Sequence, residues 1–128
     1  MSLRTPLRRV LGAGSAKEGV HHWRMQRLTS VALVPLSIWF VVSLLALPSL
    51  DYTTVAAWER HGPTPLLLVL LLGVATWHSQ LGVRVVVEDY VPAAGARTVT
   101  LTLLGFLHVL LAAAGVFAVL KVAFGGPP

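Results

Sequence analysis

The chain has 128 residues, of which 55% are apolar and only 12% charged. A soluble domain carries about a quarter of its residues as charges, so the polar surface is too small for a water-soluble globule and the bilayer is the expected solvent. Cysteine is absent, which excludes disulfides, thiolate zinc sites, cysteine nucleophiles and cysteine-ligated iron–sulfur clusters from this chain.

In chain order, residues 1–27 read as a basic arm. Arg4, Arg8, Arg9, Lys17, Arg24 and Arg27 lie in it, with Gly12, Gly14 and Ser15 in a flexible middle. Three stretches then lack Asp, Glu, Lys and Arg: Leu28–Leu50, Gly62–Val83 and Thr98–Leu120. About 20 apolar residues cross ~30 Å of hydrocarbon as a helix. The expected fold is therefore all-α and integral to the membrane, with three transmembrane helices near 28–50, 64–89 and 98–121. These form an anchor domain over 28–124, with a tail at 125–128. Pro35 inside the first span predicts a mild kink. In the first connection Asp51, Thr53 and Thr54 are candidate caps for a short helix, and Tyr52 and Trp58 suit the interfacial belt. Val91–Ala96, with Pro92 and Gly95, reads as a tight turn. Gly105, Ala112 and Gly115 run along one side of the third span and allow close helix approach.

The net charge is +5, and its position matters more than its size. Most of the basic residues precede the first span, which places the N-terminus in the cytoplasm. The surplus marks an inner face suited to anionic lipid or an inner partner. No stacking aromatics or motif accompany it, so nucleic acid is not an expected partner.

Polar groups within a membrane span are costly and are functional candidates by default. The informative string is Trp77-His-Ser-Gln-Leu-Gly-Val-Arg-Val-Val-Val-Glu-Asp-Tyr90. At 100° per residue, Asp89 returns to within ~20° of the direction of His78, about 16 Å along the axis. Gly82 lies one turn beyond His78 on that face. An imidazole, a gap without a side chain and an inner carboxylate thus share one stripe, with Tyr90 at the boundary. Imidazole ligates iron, and glycine leaves room for a flat macrocycle such as haem. Arg27 could neutralise haem propionates or hydrogen-bond a carbonyl. The alternative is structural: His78 bonds a neighbouring helix, Gly82 is a packing notch, and Arg27 and Arg84 snorkel. His108, on the stripe of Gly105 and Gly115 at a similar depth, leaves open a bis-His cytochrome formed by His78 and His108 within this chain. A non-redox scaffold also stays open. His21 and His22 read as solvated or partner-facing.

The string His78-x3-Gly82-x6-Asp89-Tyr90 resembles the small, D-type hydrophobic membrane anchor subunits of succinate dehydrogenase. The segment His22-Trp23-x2-Gln26-Arg27-Leu28-Thr29-Ser30 is similar to that family's entry into its first helix. The resemblance implies a non-catalytic subunit of a succinate:quinone oxidoreductase, serving the tricarboxylic acid cycle and the respiratory chain. It implies that His78 is one axial ligand of haem b, with the second ligand from a partner cytochrome b subunit. Gly82 would give the haem room, and Arg27 would lie near the propionates and the quinone. Tyr90 would donate to a ubiquinone carbonyl, and Asp89 would orient that site. Iron–sulfur and flavoprotein subunits would dock at the inner face, in the bacterial cytoplasmic membrane or, as a second choice, the mitochondrial inner membrane. His108 departs from the family pattern.

Overall fold

A computed structural model describes residues 15–125, and side chains from Gly19 onward. Helix α1 spans Ser15–Leu45, α2 Tyr52–Arg60, α3 Thr64–Tyr90 and α4 Ala94–Phe124. Three of the four are long and apolar enough to cross a membrane: Gly19–Leu45 within α1, then α3 and α4.

The helix ends differ from the charge-free runs, for local reasons. Helix α1 starts at Ser15, inside the stretch read as an arm, and takes Lys17, Arg24 and Arg27 into its first turns. Lys and Arg are good helix formers, so charge ends a membrane span without ending the helix. Gly12 and Gly14 lie outside the described residues. The helix stops at Leu45, before Pro48, closing with an Ala46 N–H to Val42 bond of 3.1 Å and a Leu47 N–H to Leu44 bond of 3.2 Å. Pro35 lies inside it.

Asp51 is the N-cap of α2 and accepts the Thr54 N–H at 2.9 Å. The Ser49, Thr53 and Thr54 hydroxyls also donate to its carboxylate. These bonds favour the charged form and hold the carboxyl well below the usual carboxylate range. Gly62, at φ +51°, makes the left-handed turn that leads into α3. Pro92 ends α3, whose last bond runs from the Val91 N–H to Val87 at 3.0 Å. The turn is shorter than expected. Gly95 and Arg97 already belong to α4, which begins at Ala94. At 31 residues this helix is about 46 Å long, enough to reach both headgroup regions.

The helices pack in a row. Helix α3 touches α1 on one side and α4 on the other, while α1 and α4 do not meet. Across the α3–α4 contact, a Cβ added at Gly115 would stand 3.1 Å from Leu72 Cδ1, so the missing side chain is what permits the approach. At the end away from the start of α1, α2 rests on α3 and α4 through the buried Ala56. Trp58 stacks on Trp39 of α1 with ring centroids 6.0 Å apart, and Arg60 donates to the Val122 carbonyl near the end of α4 at 2.8 Å. A row of helices encloses little. Among the described residues only Ala56, Leu68, Val87 and Val119 are buried apolar ones, and most of the Leu, Val and Phe surface faces outward for lipid or another subunit.

Candidate functional site

His78 lies on the side of α3 that meets α1, half-buried. Its Nδ1 is 2.9 Å from the Thr29 hydroxyl oxygen, and its Nε2 is 3.3 Å from the Gln26 side-chain nitrogen. Thr29 is itself buried, 7% exposed. Its hydroxyl donates back along α1 to the Met25 carbonyl at 2.8 Å and the Gln26 carbonyl at 3.0 Å. Gly82, one turn below His78, faces the same Gln26. A Cβ there would lie 3.7 Å from the Gln26 nitrogen and within 4 Å of no other atom counted across the contact. The helix-wheel prediction that His78 and Gly82 share a face therefore holds in three dimensions, and that face belongs to the α1–α3 contact.

Beside this contact a groove of roughly 880 Å³ opens between the N-terminal half of α1 and the C-terminal half of α3. His21, His22, Trp23 and Gln26 line it from α1, and Trp77, Leu81, Arg84 and Glu88 from α3. Two buried polar atoms on its wall, His22 Nε2 and Gln26 Oε1, make no hydrogen bond among the described residues. Gln26 thus stands between the groove and the His78 ring, with one end of its amide bonded and the other unsatisfied. A buried polar atom without a partner is costly, so this amide is poised to exchange its contacts.

The remaining residues singled out from sequence are not brought to His78. Arg27 is exposed, with its guanidinium 4.7 Å from the centroid of the Trp23 ring, and it lines a separate shallow depression with Arg24 and Leu28. Arg84 lines the groove instead, bonded to Glu88 at 2.8 Å. Asp89 and Tyr90 are exposed on the last turn of α3, Tyr90 to 81%.

His78 and His108 lie in different helix contacts. His108 lies in the other contact, between α3 and α4, only 8% exposed. Its Nδ1 donates to the Leu104 carbonyl at 2.7 Å, and its Nε2 is 3.2 Å from the Ser79 hydroxyl. Adjacent residues on a helix point about 100° apart, so His78 and the Ser79 that receives His108 face different neighbours. Sequence reasoning gave no role to Gln26, Thr29 or Ser79. The available signal was a polar side chain in or beside an otherwise apolar run, weak for Thr and Ser because they satisfy themselves on their own helix.

Comparison with known proteins shows the family. Residues 1–120 match the family described as succinate dehydrogenase/fumarate reductase transmembrane subunit. The chain belongs to this family. It is 32% identical over 117 residues to the succinate dehydrogenase hydrophobic membrane anchor subunit of Rickettsia bellii, covering 91% of this chain and 93% of that protein. It is 36% identical over 80 residues to the protein of the same name from Rickettsia conorii, covering 62% and 64% respectively. It is also 28% identical over 122 residues to that of Paracoccus denitrificans, covering 94% and 93%. No solved structure matches the chain. As a member of this family the protein is a membrane anchor subunit, with its three long helices in the bilayer, and the catalytic subunits of the enzyme are other chains.

Proposed function

We propose that this anchor holds haem b through His78 and contributes Tyr90 and Asp89 to a ubiquinone site, passing electrons from succinate oxidation to the quinone pool. The observation that carries the reading is the His78 site. One ring nitrogen is fixed by a buried hydroxyl, and the other meets an amide whose carbonyl oxygen has no hydrogen-bond partner among the described residues. The residues fit a haem: an imidazole nitrogen with a displaceable neighbour, and a glycine one turn away. Haem b, when bound, supplies a one-electron redox centre.

The chain's own residues do the rest. His78 would hold the haem iron, and a His of the partner cytochrome b subunit would supply the other ligand. Gly82 keeps side-chain bulk away from the macrocycle. Arg27, exposed on the same end of α1, serves an anionic group such as a propionate. At the inner end of α3 the Tyr90 hydroxyl donates to a quinone carbonyl, and Asp89 orients the site. Both are open in the isolated chain, as expected of a pocket completed by other subunits. The basic first turns of α1 support a cytoplasmic position for this end, the side on which the flavoprotein and iron–sulfur subunits would dock.

The test uses the purified complex. His78→Ala should lose haem b or change its spectrum, and an unchanged spectrum and haem content would sink the ligand role. Tyr90→Phe should lower quinone reduction while succinate oxidation by an artificial acceptor persists. Normal rates in both assays would remove Tyr90 from the site.

A further inference from the structure

The hydrogen bonds around Thr29 determine more than its own position. A threonine hydroxyl has one proton and two lone pairs. The Thr29 proton is directed to the backbone of its own helix, at 2.8 Å from the Met25 carbonyl and 3.0 Å from the Gln26 carbonyl. With the proton there, the oxygen accepts towards His78, 2.9 Å away. The proton of that bond belongs to the imidazole, on Nδ1. Nε2 is then the nitrogen with the lone pair, and the Gln26 N–H at 3.3 Å is the donor that a lone pair would draw. Both contacts fit the Nδ1–H tautomer.

We propose that Thr29 is a positioning residue for His78, fixing the Nδ1–H tautomer and aiming Nε2 as the ligating nitrogen, with the Gln26 amide as its placeholder until the iron takes it. The proposal rests on the reading of His78 as a haem ligand. A metal-bound imidazole ordinarily donates its second N–H to an acceptor that fixes its orientation and strengthens it as a donor to the metal. Here that acceptor is a neutral hydroxyl, itself polarised by two backbone carbonyls. It sits on α1, so the first and second long helices must be correctly packed before the ligand is aligned.

The experiment uses the assembled complex with three substitutions at Thr29 and one at His78. Thr29→Val keeps the shape and removes the acceptor. Its haem affinity should fall about 10- to 100-fold, and its midpoint potential should rise because a weaker imidazole donor favours ferric iron less. Thr29→Ser keeps the hydroxyl and should restore both. Thr29→Ala replaces Val if the latter blocks assembly, with the same upward shift expected. A role in helix packing alone would lower stability without moving the potential of the haem that remains. Unchanged potential and affinity in the hydroxyl-free variants overturn the proposal, provided that His78→Ala loses its haem. If His78→Ala keeps a native haem, the ligand reading itself has failed. In wild-type complex labelled with 15N-histidine, an exchangeable proton on the His78 Nδ1 supports the assignment without any variant. An Nδ1 without one overturns it.

Discussion

Both ring nitrogens of His108 are engaged inside the protein, one by its own helix at Leu104 and one by Ser79 across the contact. A ligand nitrogen there would have to be freed from a packed helix pair, whereas His78 needs only the Gln26 amide to move. His108→Ala should therefore leave the haem b spectrum unchanged and reduce stability. Hydrogen bonds between membrane helices average about 0.6 kcal/mol and reach about 1.7. A double-mutant cycle of His108→Ala with Ser79→Ala, read by thermal unfolding in detergent, should return a coupling in that range. Any change in the haem signal would reinstate His108 as a ligand. The two histidines illustrate what was legible in the sequence. Their presence in apolar helices marks both as candidates, and the spacing to Gly82 and Asp89 distinguishes one. Which nitrogen each ring has free depends on Thr29, Gln26 and Ser79, and no helical repeat along one segment predicts partners on another.

At the scale of the elements, missing charges locate the spans but not the helix ends. A charge-free run measures what the hydrocarbon tolerates, while a helix continues as long as its backbone bonds can form, so α1 and α4 overrun their runs at the ends that carry Arg24, Arg27, Arg97 and Lys121. Helix α2 is the reverse case, short and specified by its cap. Asp51→Ala should destabilise α2 by removing its N-cap and speed hydrogen exchange at Thr54. The sign of its pH dependence follows from the lowered carboxyl pKa. The cap is fully effective above the ordinary carboxylate pKa and is lost only as pH falls through the depressed folded value. Carboxyl NMR should thus find Asp51 still ionised near pH 4, where free aspartates are about half protonated. Neighbouring Glu59 moves the other way, raised by burial against the opposing charge of Arg60, so it should take up its proton at a higher pH than Asp51. Between α3 and α4, Gly115→Leu should separate the helices because Leu72 Cδ1 already lies 3.1 Å from the site of a Cβ. Leu72→Ala in the same chain should recover part of the lost thermal stability. Lack of any recovery would show that the contact is not the cause.

For the whole molecule, the row α1–α3–α4 explains why a chain this apolar buries so little. Each outer helix has one long neighbour, and α3 alone has two. The broad outward faces, Trp77 on α3 and Phe106 and Phe117 on α4 among them, suit lipid and a second membrane subunit. Composition announces such a face without saying which helix stands in the middle, since three similar Leu- and Val-rich spans can be ordered in several ways. The direction of insertion, by contrast, is an expectation from the position of the basic residues, and the absence of cysteine makes it directly measurable. A single cysteine introduced by substitution is the sole thiol of the variant chain. Ala57→Cys, on the exposed side of α2, and Ala93→Cys, in the exposed turn before α4, lie at opposite ends of α3. In intact cells or right-side-out vesicles, a membrane-impermeant maleimide should label the chain with Ala57→Cys and spare the one with Ala93→Cys until the membrane is opened. Inverted vesicles should exchange the two results. Labelling of Ala93→Cys from outside would turn the anchor over, putting Tyr90, Asp89 and the groove at His22 and Gln26 on the far side from any cytoplasmic electron donor. The proposed quinone site would then have to be abandoned together with the orientation.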